Sequence, residues 1–341
     1  MSNQLRHEVA SLLPLIRIHT PNSFEFAGKT FAVGGEMMAQ GSSFAAGQSG
    51  QLQSVLYSYA YAKVFKGQIP PDPAPQPYDP AFVQKLMDAN QSQVRWDHGW
   101  QVYSVQADGS VYAKKGDRQR SARPGEYVVP ASPGSALQAG ATIQIYMPKD
   151  STTLQPGFYH VFSETPADIW DDYSTTRFYF HIRAAGAPAL VRFLTSTLNR
   201  YLTPFRFKTL TQASMYDRTD AAVLYVARRY HPLIQSMLEA LPEDVSRELG
   251  PEVPRFSRWL KPGIGTVEDP GNGESFGMQR CRIIAEGLID AFNRGIVSDE
   301  GRMETIAAHY VRNGLDPERP HLARKGGDFP VVLAEVVFAH A

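Results

Sequence analysis

The amino-acid sequence predicts an α+β fold: a mixed sheet with a β-α-β unit at about 177–210, a cationic open face, packed helices and a helical N-terminal region. Two alternating runs flanking a helical one carry this expectation. In RFYFHIR, Phe178, Phe180 and Ile182 share one face, and Arg177, Tyr179, His181 and Arg183 the other, as the two-residue period of a strand requires. In PFRFKTL, Phe205 and Phe207 oppose Arg206 and Lys208. Between them GAPALVRFLTSTLNRYL reads as a helix with Pro188 in its first turn, where the missing N–H costs nothing. Strand, helix and strand favour parallel pairing with a right-handed crossover. The helix then covers the Phe faces and leaves the cationic faces side by side on adjacent strands. AAVLYVA (221–227) reads as a third, more buried strand and FPVVLAEVVFAH (329–340) as a fourth.

The other elements follow in chain order. Residues 1–68 read as mostly helical: HEVASLLPLIRIH has near-helical apolar spacing interrupted by Pro14, and LQSVLYSYAYAKVFKG is amphipathic and closed by Gly67. Six prolines in IPPDPAPQPYDP (69–80) make an extended linker or strap. Over 81–165, a short helix (AFVQKLMDANQ) gives way to a β-rich region. There GWQVYSVQADGSVYAKKGD forms a hairpin about Asp108-Gly109, and RPGEYVV and QPGFYHVFS each pass from a Pro-Gly turn into an aromatic strand. Residues 170–341 read as an α+β region.

Composition narrows the function classes. The 34 basic and 34 acidic residues cancel, so the chain as a whole makes no electrostatic claim on nucleic acid or membrane. No apolar run approaches the roughly 18 residues of a membrane span. The N-terminus lacks a signal-peptide cleavage site, and the single cysteine, Cys281, excludes internal disulfides and CxxC metal sites. A cytoplasmic location is expected, with no cofactor and no metal. Charge is nevertheless uneven: between Arg177 and Arg218 seven basic residues face one acid, Asp217. Such an excess suits a small anionic partner, or a solvated surface.

GESFG (273–277) matches the G-x-S-x-G nucleophile elbow, with Asp290 or Asp299 and then His309 or His321 in the right chain order. The elbow needs a buried strand directly before the serine, whereas PGIGTVEDPGN offers only a Thr-Val core among glycines and prolines. Ser275 is therefore expected to cap a helix or donate a hydrogen bond. On that helix Arg280 falls within the apolar stripe of Ile283, Ile284, Gly287 and Ala291, and Arg282 on the polar side. A guanidinium aimed at a core needs an anion or acceptors. An anion pocket at the helix N-terminus and a salt bridge to Glu268 or Asp269 both satisfy it. Walker A, dinucleotide, HExxH and kinase motifs are missing. His98 and His160 read as structural.

TRFYFHI, LNRYLTPFRFKTL, YDRTDAAVLYV and PGIGTVEDPGNGESFGMQRCRIIAEGL together resemble the HopA-type effector family. They resemble in particular its relatives that act as lyases in class V lanthipeptide and thioamitide biosynthesis. WDHGWQVYSVQADGSVY and LYSYAY extend the similarity towards the N-terminus. The resemblance implies β-elimination of phosphate from phosphoserine or phosphothreonine in a precursor peptide, giving dehydroalanine or dehydrobutyrine. It also implies a separate aminoglycoside-phosphotransferase-like kinase as partner, with 170–341 as the catalytic lyase region and 81–165 as a candidate contact for the peptide or the kinase. The chemistry is similar to that of the enteric phosphothreonine lyases, which use a lysine base, a histidine acid and phosphate-binding arginines.

On this reading Lys208 is the general base, its pKa lowered by Arg206 and Arg218, and His181 the general acid. Arg177, Arg218, Arg280, Arg206 and Arg282 bind phosphate. Tyr179 orients the phosphate or the enolate-like carbonyl, and Asn272, Glu274 and Ser275 form a substrate loop. Tyr179 stands where the enteric enzymes carry a second lysine, whose task then passes to an arginine. Two other functions share these residues: a secreted effector acting on host phosphoproteins, and a non-catalytic phosphopeptide-binding partner of a kinase.

Overall fold

The computed structural model describes residues 4–32, 47–70, 79–130, 137–168, 170, 171 and 174–323. The expected strand at 329–340 and most of the proline-rich segment lie outside these residues. Among the described residues no helix is long and apolar enough to cross a membrane.

The N-terminal region is less helical than expected. Helix α1 (Gln4–Ala10) buries Leu5 and Val9 and stops, because Pro14 sits in a short 3-10 turn at Leu13–Leu15. The rest of the expected helix is strand. β1 (Ile16–Thr20), β2 (Ser23–Phe26) and β3 (Lys29–Ala32) form an antiparallel meander. Ile16, Phe24, Phe26 and Phe31 point inward, so a two-residue period wins over the helical reading. Helix α2 (Gln48–Leu56) widens into a π turn at Tyr57–Tyr61, ending six residues before Gly67.

Helix α3 (Pro80–Ala89) is capped by Asp79, whose carboxylate accepts from Phe82 N at 2.9 Å. The strands β4 (Arg95–Val105), β5 (Val111–Lys115), β6 (Arg118–Ala122), β7 (Tyr127–Val128) and β8 (Thr142–Met147) form an antiparallel sheet in the order β6-β5-β4-β8-β7. The expected β4–β5 hairpin turns at Asp108–Gly109, where Gly109 takes φ +81°. One face buries a small core of Trp100, Val102, Val111, Ala113, Ile143 and Ile145.

The remaining chain builds a seven-stranded sheet. Its elements are β9 (Asp150–Ser151), β10 (Phe158–Phe162), β11 (Thr175–Phe180), α4 (Ala187–Arg200), β12 (Phe205–Leu210) and β13 (Ala222–Ala227). They continue with α5 (His231–Glu239), α6 (Glu243–Ser246), β14 (Arg258–Lys261), β15 (Ile264–Glu268), α7 (Phe276–Asn293) and α8 (Asp299–Arg312). The strand order is β14-β15-β11-β13-β12-β10-β9, and every pair is antiparallel. The class is α+β, but the sheet is antiparallel rather than mixed. β13 inserts between β11 and β12 and pairs antiparallel with both. The two strands of the expected β-α-β unit thus run parallel without touching.

The helix covers the face it was expected to cover. Leu190, Leu194 and Leu198 of α4 pack on Phe178, Phe180 and Phe207. On the opposite face Tyr179, Val223 and Val267 are sealed by Tyr61, Phe276, Ile283 and Ile284. Among the described residues that cover stops at β13. The expected open face therefore exists only from Tyr225 outward, over β12 and β10.

β15 is also longer than its glycines suggested: all five residues are buried. A Cβ on Gly265 would lie 3.0 Å from the Cβ of Ser257. The glycine serves close packing here rather than breaking a strand.

Candidate functional site

Strand register decides which side chains meet. Residues directly opposite one another in antiparallel strands share a face. His160, Lys208, Val223 and Tyr179 form one row across the sheet, and Phe162, Arg206, Tyr225 and Arg177 the next. The Tyr225 ring is ringed by cations, with Arg177 Cζ at 5.2 Å, Arg206 Cζ at 5.6 Å and Lys208 Nζ at 5.9 Å from its centroid. Lys208 also lies 4.4 Å from the Phe158 ring centre and donates to Gln155 Oε1 at 3.1 Å. The aromatic faces allow three cations to gather with few carboxylates present. Arg177 alone takes a close counterion, Asp269, at 2.6 Å.

His160 shares the face and the row of Lys208. Its Nε2 is buried without a hydrogen-bond partner. Desolvation, with the charges of Lys208 and Arg206, pushes the imidazole from its ordinary 6.5 down to about 4. Burial, with Arg258 and Arg228, likewise takes His231 down to about 4 on the other side of the sheet. Folded-state values below the unfolded ones mean that the unfolded chain binds protons the native one refuses. These groups cost no stability above pH 6.5, and stability is lost as the pH falls from 6.5 towards 4. Urea midpoints should drop across that window, and His160→Gln should flatten the profile.

The other expected site residues are dispersed. His181 lies just beyond β11, where its Nδ1 is 3.2 Å from Glu252 O and 3.4 Å from the Glu252 carboxylate. Its ring fills the space over Gly250, where a Cβ would come within 2.5 Å of it. It is two strands and one further row away from Lys208, not on an adjacent strand. Arg218 is spent on Asp220, at 2.8 and 3.0 Å, and on the Tyr57 hydroxyl at 3.2 Å. Tyr57 stacks on Tyr61, which meets Tyr179 edge-on at 6.5 Å. Tyr179 is buried, and burial pushes its hydroxyl up to about 12 although Arg177 opposes the shift.

Arg280 is fully buried, as its helical position required. Nε donates to Pro320 O at 2.9 Å and Nη2 to Leu322 O at 2.6 Å, Nη1 donates to Gln279, and the guanidinium lies 4.4 Å from the Phe276 ring centre. The salt bridge to Glu268 or Asp269 does not form among the described residues; main-chain carbonyls accept from the guanidinium instead. Arg282 grips both carboxylate oxygens of Glu274, at 3.0 and 3.1 Å, and reaches Glu286 at 3.0 Å. Asn272 accepts from Glu274 N, so the expected substrate loop is held largely by its own residues.

A cleft of about 930 Å³ opens beside the Tyr225 cluster, between the two large sheets. Arg206, Tyr225 and Phe162 form one wall, and Arg95, Arg118 and Arg120 line the other.

The model of the HopA1 effector protein family matches residues 149–322, just over half of the 341 residues. The chain belongs to the HopA1 family. Two solved structures are similar to parts of it. The effector protein from Pseudomonas syringae pv. tomato strain DC3000 is 18% identical, with 48% of this chain and 62% of that chain covered and a TM-score of 0.38. The effector protein from Pseudomonas syringae pv. syringae strain 61 is 11% identical, with 79% and 87% covered and a TM-score of 0.41. The aligned part thus spans less than two thirds of the first of these. No curated protein matches.

In this HopA1-family chain the GESFG pentapeptide is a helix start. Ser275 caps α7, its hydroxyl accepting from Met278 N at 3.3 Å. Asp290 and His309 do pair, at 3.2 Å, but Asp290 lies about four helical turns beyond Ser275. Gly277 makes room for the tyrosine cover, since a Cβ there would come within 2.2 Å of the Tyr61 ring. Gly277→Ala is expected to cost about 1–3 kcal/mol in denaturant unfolding, with Tyr61→Leu in the same chain recovering part of it.

Of the residues in the cluster, the sequence reading passed over Tyr225 and took His160 as structural. Tyr225 carries the one polar tip in an otherwise apolar strand. His160 alternates with Tyr159 and Val161 and shares a face with Phe158 and Phe162, a visible signal whose partner strand was not.

Proposed function

We propose that this protein is a phosphoserine/phosphothreonine lyase acting on a kinase-phosphorylated precursor peptide in lanthipeptide or thioamitide biosynthesis. The observation that supports this reading is the Lys208–His160 pair beside Arg206 on the uncovered part of the sheet. Phosphate esters resist elimination because the Cα proton is weakly acidic and the leaving oxygen gathers charge. A base, an acid and a cation at one place answer these three needs. Lys208, as the neutral amine, takes the Cα proton. The electron pair forms the Cα=Cβ bond, the Cβ–O bond breaks, and phosphate departs. His160 gives the departing phosphate its proton, and Arg206 carries its charge.

His160 thereby takes the part first expected of His181, whose imidazole is turned to Glu252. Desolvation, with the charges of Lys208 and Arg206, keeps the free ring neutral, and a phosphate dianion beside His160 opposes the shift. The substrate thus brings the protonated acid into being. Arg177, held by Asp269, supports the Tyr225 ring from behind. His160→Asn should lower kcat for phosphate release by about a hundredfold, and His181→Asn by only a few-fold. The reverse order would restore His181 as the acid.

A further inference from the structure

The cleft is larger than a phosphate needs. At about 930 Å³ it lies at the upper end of ligand-pocket sizes. Across it from Arg206 and Tyr225 stands β6, whose Arg118 and Arg120, two residues apart, leave the same face of the strand. The two carboxylates in the lining already have cations. Asp97 takes Lys115 at 2.9 Å and Arg95 at 3.2 Å, and Asp171 takes Arg229 at 2.9 Å. The arginines therefore set the sign of the cleft. Arg120 is exposed and donates to the Met147 sulfur at 3.0 Å, a weak acceptor that a carboxylate or phosphate oxygen readily displaces.

We infer that the β6 wall binds an anionic side chain flanking the reacting phosphoresidue. The preferred substrate is then a peptide with a carboxylate or a second phosphate beside its phosphoserine or phosphothreonine. This selectivity rests on the lyase reading for which residue occupies the Arg206–Tyr225 end, but not for the sign of the flank. The cleft's continuity with the Tyr225 cluster places a reacting residue at one end and its chain neighbours along Arg118 and Arg120. The reaction that supplies such a substrate is phosphoryl transfer to a run of neighbouring hydroxyl residues, or to a hydroxyl residue within an acidic stretch.

Three labelled phosphothreonine peptides of equal length test this, with alanine, glutamate or phosphoserine flanks. Their Kd values are read by fluorescence anisotropy and their turnover by phosphate release. The anionic flanks should tighten binding about tenfold over alanine, equivalent to about 1.4 kcal/mol. R120E and R118E/R120E should bring that ratio close to one. R192E makes the same charge change on the exposed surface of α4 and should leave the ratio intact. Binding of the alanine-flanked peptide reports that each variant is folded. A gain from phosphoserine but not from glutamate would assign the wall to phosphate. Equal Kd values for all three peptides, or a ratio that survives R118E/R120E, would overturn the inference. Flank selectivity without turnover of any peptide would leave the wall standing and remove the lyase; turnover without selectivity would do the opposite.

Discussion

Lys208→Ala is expected to slow phosphate release from a phosphothreonine peptide by about a thousandfold or more, at the upper end of the range for losing a general base. The side chain lies against Phe158 and Tyr225 with one neutral partner, Gln155, so its loss breaks no buried ion pair. Urea unfolding should therefore move little. Peptide affinity should fall only modestly, since Arg206 remains at the same cluster. Lys208→Arg keeps the charge but supplies no neutral base at working pH, because a guanidinium does not deprotonate there. It should bind peptide like the native protein and remain as slow as the alanine variant. A Lys208→Arg protein that eliminates at the native rate would show that the residue acts through charge alone.

Arg280→Ala is expected to act on stability rather than chemistry. Two main-chain carbonyls, Pro320 O and Leu322 O, lose their donors, and a fully buried side chain leaves a cavity over Phe276. Against this, the fold no longer has to bury a charge, a cost visible in the lowered pKa that desolvation imposes on Arg280. The balance is a loss of about 2–4 kcal/mol in urea unfolding. Arg280→Met keeps most of the volume and should lose less. Phosphopeptide affinity, measured where the variant is folded, should be unchanged. Native stability with lost affinity would instead make Arg280 a phosphate ligand.

Arg280 also shows how far the sequence could be read. Helical spacing put it inside the apolar stripe, and it is there. Its acceptors come from a segment about 40 residues away in the chain, which no local pattern could reveal. β11, α4 and β12 were legible for the same reason that Arg280's burial was: a two- or 3.6-residue period is written in the residues themselves. The insertion of β13 between the two strands is a long-range choice and was not legible. It separates His181 from Lys208 and leaves His160, from a strand earlier in the chain, as the cross-strand neighbour. In the N-terminal region two periods competed, and IRIHT followed the strand period once Pro14 had ended the helix. The cleft's second wall, on β6, depends on how the two large sheets meet.

In the proposed reaction phosphate leaves by elimination rather than hydrolysis. A phosphothreonine peptide, incubated with the purified protein in ¹⁸O-labelled water, tests it through the mass of the product. Elimination removes the whole phosphoric acid and leaves no label in the peptide. The product is dehydrobutyrine, which adds a thiol across its new double bond. A product with threonine restored would mean hydrolysis, and a peptide that binds but stays phosphorylated would mean a phosphopeptide-binding protein; either result would exclude a lyase.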